Sequence, residues 1–334
     1  MKTKEKRRVF ITVTLAMAFL MVIPVYGKVE KIIVSTSGGP VGGTAYILYS
    51  TMAAIVSQFS DKVRVSCEAG GGTSENYERI EAGKLECGQA IHPTCYEAYA
   101  GIGDYKGKPH KHLRFLTFDH FTTQWVCTLK KSGLNTLSDL KGKRISSGPP
   151  GTSATIMAER VLKANGLDVH KDCKVTNLTY SDCVKALRDG TISAGCIFGG
   201  NIASPPSAIL ELMSTDEVKI IPLVNKEATT KIMGFGSWMI VPKGTIKGTD
   251  VDTPTWSNLC FCTIRDTVPE DVVYELTKQW LTHLPEFHKS HPVAKDLTLD
   301  SVFYGATIPV HRGAVKYYKE IGIWDKRPAG VESE

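Results

Sequence analysis

Three times along this chain, a short apolar run leads into a glycine loop with hydroxyl side chains and then into residues of helical period. The first run, residues 31–36, is β-branched and apolar, the mark of a buried strand. Ser37-Gly38-Gly39-Pro40-Val41-Gly42-Gly43-Thr44 follows. Ala45, Leu48, Tyr49, Met52, Ile55, Val56 and Phe59 then recur at helical spacing. In the second unit, residues 63–67 read as a strand. Ala69-Gly70-Gly71-Gly72-Thr73-Ser74-Glu75-Asn76 forms the loop, and a helix over 77–82 stops at Gly83. The third joins a strand over 143–147, the loop Gly148-Pro149-Pro150-Gly151-Thr152-Ser153, and a helix over 154–164 ended by Gly166. Alternation of this kind predicts an α/β protein with largely parallel sheets.

The loops also carry chemistry. A helix N-terminus leaves backbone N–H groups unpaired and bears partial positive charge. Glycine lets a ligand approach the backbone closely, and the hydroxyls of Thr44, Thr73, Ser74, Thr152 and Ser153 add donors. Together these make anion sites without lysine or arginine. One such loop reads more readily as a tight turn with a helix cap; three in one chain point to a ligand. Nucleotide loops are excluded: no G-x-x-x-x-G-K-[ST] is present, and the first loop lacks G-x-G-x-x-G spacing.

The N-terminus predicts export. Residues 2–8 carry five positive charges and one negative, an apolar run spans 9–25, and Val25-Tyr26-Gly27 ends in a small residue. That pattern is a secretory signal peptide over residues 1–27, cut after Gly27. The first cysteine is Cys67, so no lipid anchor is expected at the cut. Of the formal charge of +6, the leader accounts for +4. The mature chain is therefore nearly neutral and has no nucleic-acid footprint. Its length of about 300 residues suits two modest domains.

Nine cysteines are an odd number for an exported chain. Cys127, Cys196, Cys260 and Cys262 lie in apolar strands, where cysteine acts as a small hydrophobe, so mostly free, buried thiols are expected. His92, Cys95, His110 and His112 match no zinc spacing, and no metal or cofactor is expected. His311 precedes a C-terminal amphipathic helix and is expected to cap or pack it. No G-x-S-x-G elbow or nucleophile–base pair is visible, so no catalytic residue is assigned and the chain reads as a non-enzyme.

Several segments resemble the TRAP-associated extracytoplasmic immunogenic (TAXI) solute-binding proteins. Gly42-Gly43-Thr44-Ala45-Tyr46 is similar to that family's opening glycine loop, and Gly72-Thr73-Ser74-Glu75-Asn76 to its Gly-Ser-x-Glu-Asn loop. Asp139-Leu140-Lys141-Gly142-Lys143-Arg144, followed by Pro150-Gly151-Thr152, resembles its "DLKGKR…PGS" segment. The stretches 180–190, 268–277 and 308–318 resemble further family signatures, in order along residues 31–322. The family usually has serine where Thr73 and Thr152 stand, and proline where Arg312 stands. Residues 87–92 depart from its usual apolar strand.

The resemblance implies a periplasmic, monomeric receptor of two α/β lobes (type II-like), with an interlobe ligand cleft, crossing hinge strands and hinge closure. It would deliver a small anionic solute, such as a carboxylate, amino acid or keto acid, to the subunits of a TRAP-type membrane permease. Lobe one would comprise 28–126 and 250–334, and lobe two 127–249. Ligands of parallel α/β sheets bind at the carboxyl ends of strands. The expected lining is therefore Gly42, Gly43, Thr44, Tyr46, Thr73, Ser74 and Asn76 from lobe one, with Thr152, Ser153, Tyr180 and Phe198 from lobe two. Ser204-Pro205-Pro206 reads as an N-cap with proline at the first helical position, and His92 stands where the family often places a ligand-contacting side chain. The alternatives are an extracytoplasmic sensor or a secreted enzyme on a similar fold.

Overall fold

A computed structural model describes residues 30–334 apart from Gly42 and Phe235. The expected leader and its cleavage point lie outside the described residues, as does the expectation placed on Gly42. In chain order the elements are β1 (Ile32–Gly39), α1 (Thr44–Phe59), β2 (Val63–Ala69), α2 (Thr73–Glu81), β3 (Cys87–Ile91), α3 (Thr94–Ala100) and β4 (Leu113–Leu129). Then come β5 (Arg144–Ser146), α4 (Ser153–Ala164), α5 (Val169–Asp172), β6 (Lys174–Thr176), α6 (Tyr180–Arg188), β7 (Ala194–Phe198) and α7 (Ser207–Thr215). The chain ends with β8 (Val218–Ile220), α8 (Lys226–Met233), β9 (Ser237–Val241), β10 (Thr253–Arg265), α9 (Glu270–Thr282), α10 (Leu284–Phe287) and α11 (Arg312–Glu320).

The strands follow one hydrogen-bonded path, β2-β1-β3-β10-β4-β7-β5-β6, with β8 on β4 and β9 on β10. β1 pairs in parallel with β2 and β3, and β5 in parallel with β6 and β7. Two long antiparallel strands join these parallel sets. β4 pairs with β10 through Thr123 and with β7 from Gln124 onward, so one strand serves both sets. The fold is therefore α/β with a central sheet, as the alternating pattern predicts, but the sheet is mixed and not largely parallel, because β4 and β10 run antiparallel to their neighbours.

Each set has its own packing. Val34, Met52, Phe115, Phe261 and Trp280 belong to a large core on the β1 side. Two smaller clusters cover the β5 side, one around Met157, Val161 and Trp256, the other around Trp125, Leu187 and Ile209. His311 caps α11, its Nδ1 accepting the Gly313 N–H at 3.1 Å.

Two helix starts differ from the sequence reading. α2 begins at Thr73, not 77, because Gly72, at φ 116°, turns the chain directly into the helix. Thr73 to Asn76 is thus helix, not loop. α7 begins at Ser207 behind Pro206, not behind Ser204. Ser204 is held in a tight turn, its N–H donating to Asn201 Oδ1 at 2.9 Å. All nine cysteines are free thiols. Among the described residues, no helix is long and apolar enough to cross a membrane.

Candidate functional site

A cavity of about 550 Å³ opens where the parallel strands of both sets end. Five helices begin at its wall: α1 at Gly43–Thr44, α2 at Gly72–Thr73, α4 at Thr152, α6 at Tyr180 and α7 at Ser207. Each directly follows a parallel strand, the arrangement that brings helix N-termini to a ligand. Gln89, His120, Thr122 and Cys260, from the central strands β3, β4 and β10, form the floor. Among the described residues the lining includes no lysine or arginine. Its one carboxylate, Glu211, lies 3.2 Å from Arg188.

The wall formed by α1 and α2 is a pair of glycine loops stitched together by the Gly70 N–H, which donates to Gly39 O at 3.0 Å. Both helices have glycine at the N-cap, Gly43 and Gly72, which lacks any side chain to cover the first-turn donors. Glu75 does reach back to the Gly71 N–H at 2.8 Å. Gly38 admits no larger residue: a Cβ there would lie 2.6 Å from the Ala45 carbonyl carbon at the start of α1.

On the opposite wall α4 and α6 cap themselves, while α7, behind Pro206, has no side-chain cap. Thr152 Oγ1 accepts the Thr155 N–H and donates to Pro149 O at 3.1 Å. Thr179 Oγ1 accepts the Asp182 N–H and donates to Asp182 Oδ2 at 2.7 Å. Burial pushes the Tyr180 phenol up, against a weaker opposing effect of its bond to the Phe198 backbone. It is therefore a neutral group at the cavity edge.

At the floor, a β-bulge changes the facing of β4. His120 stands opposite Cys260 and Phe118 opposite Phe261, so Asp119 is an extra residue in the ladder. Asp119 is fully buried. Its Oδ1 lies 2.8 Å from His120 Nδ1, and its Oδ2 accepts from Tyr49 OH at 3.0 Å. Burial first, then the carboxylates of Asp119 and Asp296, push the Cys260 thiol up.

The residues expected in the site divide. Gly43, Thr44, Thr73, Thr152, Tyr180 and Phe198 line the cavity. Tyr46, Ser74, Asn76, His92 and Ser153 are not among the lining residues described. Tyr46 is half-buried in the first turn of α1. Ser74 and Ser153 meet each other, Oγ to Oγ at 2.8 Å, so the first turns of α2 and α4 touch. Asn76 donates to Ser37 O at 3.1 Å and Gln89 O at 3.0 Å, a buried tie between β1 and β3 that engages its amide donors. It lies there because α2 starts early and turns residue 76 inward. His92 packs its ring against Gly234 beyond α8, and burial lowers its pKa to about 4. The expected Thr152 donor is engaged within its own turn.

The sequence reading missed Asp119, His120 and Cys260 as a group. The available signal was the polar run Asp119-His120-Phe121-Thr122-Thr123-Gln124 inside a buried strand. His110 and His112 have separate partners, Glu78 at 3.2 Å and Asp266 at 2.8 Å.

The two sides are also clamped to each other away from the cavity lining. Arg160 of α4 donates to both oxygens of Glu97 in α3, at 2.6 and 2.8 Å, and to Asp104 at 2.8 Å.

Two α/β sets joined by long shared strands, with a cavity between them, define the two-lobed fold of the periplasmic solute-binding proteins. The chain belongs to the NMT1-like family, whose pattern matches residues 36–322. A solved structure described as a periplasmic transporter is 16% identical with a TM-score of 0.52, covering 88% of this chain and 94% of that one. The alkanesulfonate-binding protein SsuA from Xanthomonas axonopodis pv. citri, bound to MOPS, is 16% identical with a TM-score of 0.47, covering 87% and 90%. A TctC solute binding protein from Polaromonas is 12% identical with a TM-score of 0.43, covering 77% and 86%.

Proposed function

We propose that this protein is the extracytoplasmic solute-binding subunit of a TRAP-type transporter, of the TAXI type, and that it captures a small anionic solute for a membrane permease. The observation that carries this reading is the convergence of five helix N-termini on one cavity whose described lining has no lysine or arginine. The N–H groups left without a side-chain cap at α1, α2 and α7, with the aligned dipoles of all five helices, favour a carboxylate or sulfonate there. The volume of about 550 Å³ suits a small organic acid.

Export to the periplasm, by cleavage after Gly27, belongs to the same proposal, as does function as a monomer. So does a division into lobes of 28–126 with 250–334 and of 127–249, closing about β4 and β10. The protein acts by reversible capture without turnover. The burial that raises the Cys260 thiol opposes the activation a nucleophilic cysteine needs.

The test is a thermal-shift screen of dicarboxylates, amino acids, keto acids and sulfonates, followed by calorimetric titration of the best ligand. An anion should bind at one per chain, raise Tm and be recovered unchanged. Preference for a neutral or cationic ligand, or conversion of the ligand, overturns the reading.

A further inference from the structure

We infer that Asp119, His120 and Cys260 form a binding site for a thiophilic divalent cation of the zinc class at the floor of the cavity. Among the described residues they are the group of three whose ligating atoms converge, all within 4.8 Å of one another. Every member is buried: Asp119 is 0% exposed, and His120 and Cys260 2% each.

The backbone explains why they converge. Neighbours along a regular strand face opposite sides. The bulge at Asp119 suspends that alternation, so Asp119 and His120 come into contact through Oδ1 and Nδ1 at 2.8 Å. Cys260 is the pairing partner of His120 on β10, which brings the sulfur alongside. Carboxylate, imidazole and thiolate form a mixed donor set suited to zinc. In a tetrahedral site with Zn–S of about 2.3 Å and Zn–N of about 2.0 Å, neighbouring donors stand about 3.5 Å apart. On binding, the widest separation, within 4.8 Å, would shorten and the 2.8 Å contact between Oδ1 and Nδ1 would open toward that spacing.

Charge points the same way. A buried carboxylate and a thiolate carry two negative charges, which a divalent cation neutralises in place. The ion enters between Asp119 Oδ1 and His120 Nδ1, with the imidazole proton carried on Nε2, and the thiol proton of Cys260 leaves to solvent. Tyr49 OH holds the second carboxylate oxygen at 3.0 Å and so fixes the orientation of Asp119. His120 and Cys260 both line the cavity, so the remaining coordination position faces the space where a solute oxygen would sit. The site does not depend on solute capture, because cation binding is read with no solute present.

The test is titration of the full purified chain, stripped with chelator, with Co²⁺ as the probe and no organic solute present. One equivalent should produce a sulfur-to-cobalt charge-transfer band and tetrahedral d–d bands, both removed by Zn²⁺. Cys260→Ser should abolish the charge-transfer band, and His120→Gln should weaken Co²⁺ binding at least tenfold. Melting curves show that each variant is folded, and the wild-type spectrum decides alone if neither is. No charge-transfer band in the wild type overturns the site, and so does a band that persists unchanged in folded Cys260→Ser. Either result leaves anion capture by the helix termini standing or falling on its own titration.

Discussion

The two walls of the cavity are built from the same strand–loop–helix unit, yet they treat their helix termini oppositely. On the α1–α2 wall the N-caps are Gly43 and Gly72, which have no side chain to bond the first-turn N–H groups. On the α4–α6 wall Thr152 and Thr179 bond those groups themselves and direct their own protons inward, to Pro149 O and Asp182 Oδ2. A glycine cap leaves donors for a ligand. A threonine cap gives the helix stability and shape and leaves less for recognition. The lesson is that a hydroxyl beside a helix terminus is not automatically a ligand contact; its partners decide.

Predictions that could break this contrast run from large to small. Gly38→Ala should be the most damaging, because the added Cβ meets the Ala45 carbonyl and pushes the start of α1 out of place. We expect loss of about 3 kcal/mol in urea denaturation and loss of solute binding in calorimetry. Unchanged binding would show that the α1 terminus is not used.

Next is acid sensitivity at the contact between the sides. Burial holds His92 neutral, with its pKa at about 4 instead of 6.5, and the Met233 backbone bond opposes this only in part. The unfolded chain therefore takes up this proton first. Stability is complete above pH 6.5 and falls as pH drops toward 4, by up to about 3 kcal/mol. Denaturation midpoints from pH 7 to 4.5 should show this slope, and His92→Gln should flatten it. An equal slope in the variant removes His92 as the cause.

Asn76→Ala should cost about 2 kcal/mol of stability by leaving the carbonyls of Ser37 and Gln89 without their donors. Any effect on affinity should be indirect and smaller. A hundredfold affinity loss with an unchanged melting curve would restore Asn76 as a direct contact. Thr152→Ala should cost least, about 1 kcal/mol in denaturation, with affinity within a few-fold. A larger affinity loss than stability loss would show that the threonine wall binds solute after all.

Much of the fold was legible because the alternation of residues 31–59, 63–82 and 143–164 is local. Period and glycine placement act over one or two elements, and β1–α1, β2–α2 and β5–α4 follow from them. The positions of Gly43, Thr44, Thr73 and Thr152 at the cavity also follow from this local rule. What the sequence hid is set by pairing at long range or by a single backbone angle. Asp119 and His120 meet Cys260 only because β4 and β10 pair with a bulge, which no periodicity records. The inward turn of Asn76 depends on Gly72 starting α2 early. The engagement of Thr152 depends on Pro149 O, reached only when the Pro-Pro loop folds back.

The Arg160 clamp has a consequence for how such a molecule sets its affinity. On the hinge reading proposed above, opening must break its charge-assisted bonds to Glu97 and Asp104. The measured dissociation constant is then the intrinsic one divided by the fraction of molecules already closed. A residue that never touches solute would thereby govern how tightly it is held. Arg160→Gln should lower that fraction and weaken every solute by one common factor, leaving the order of preference among solutes intact.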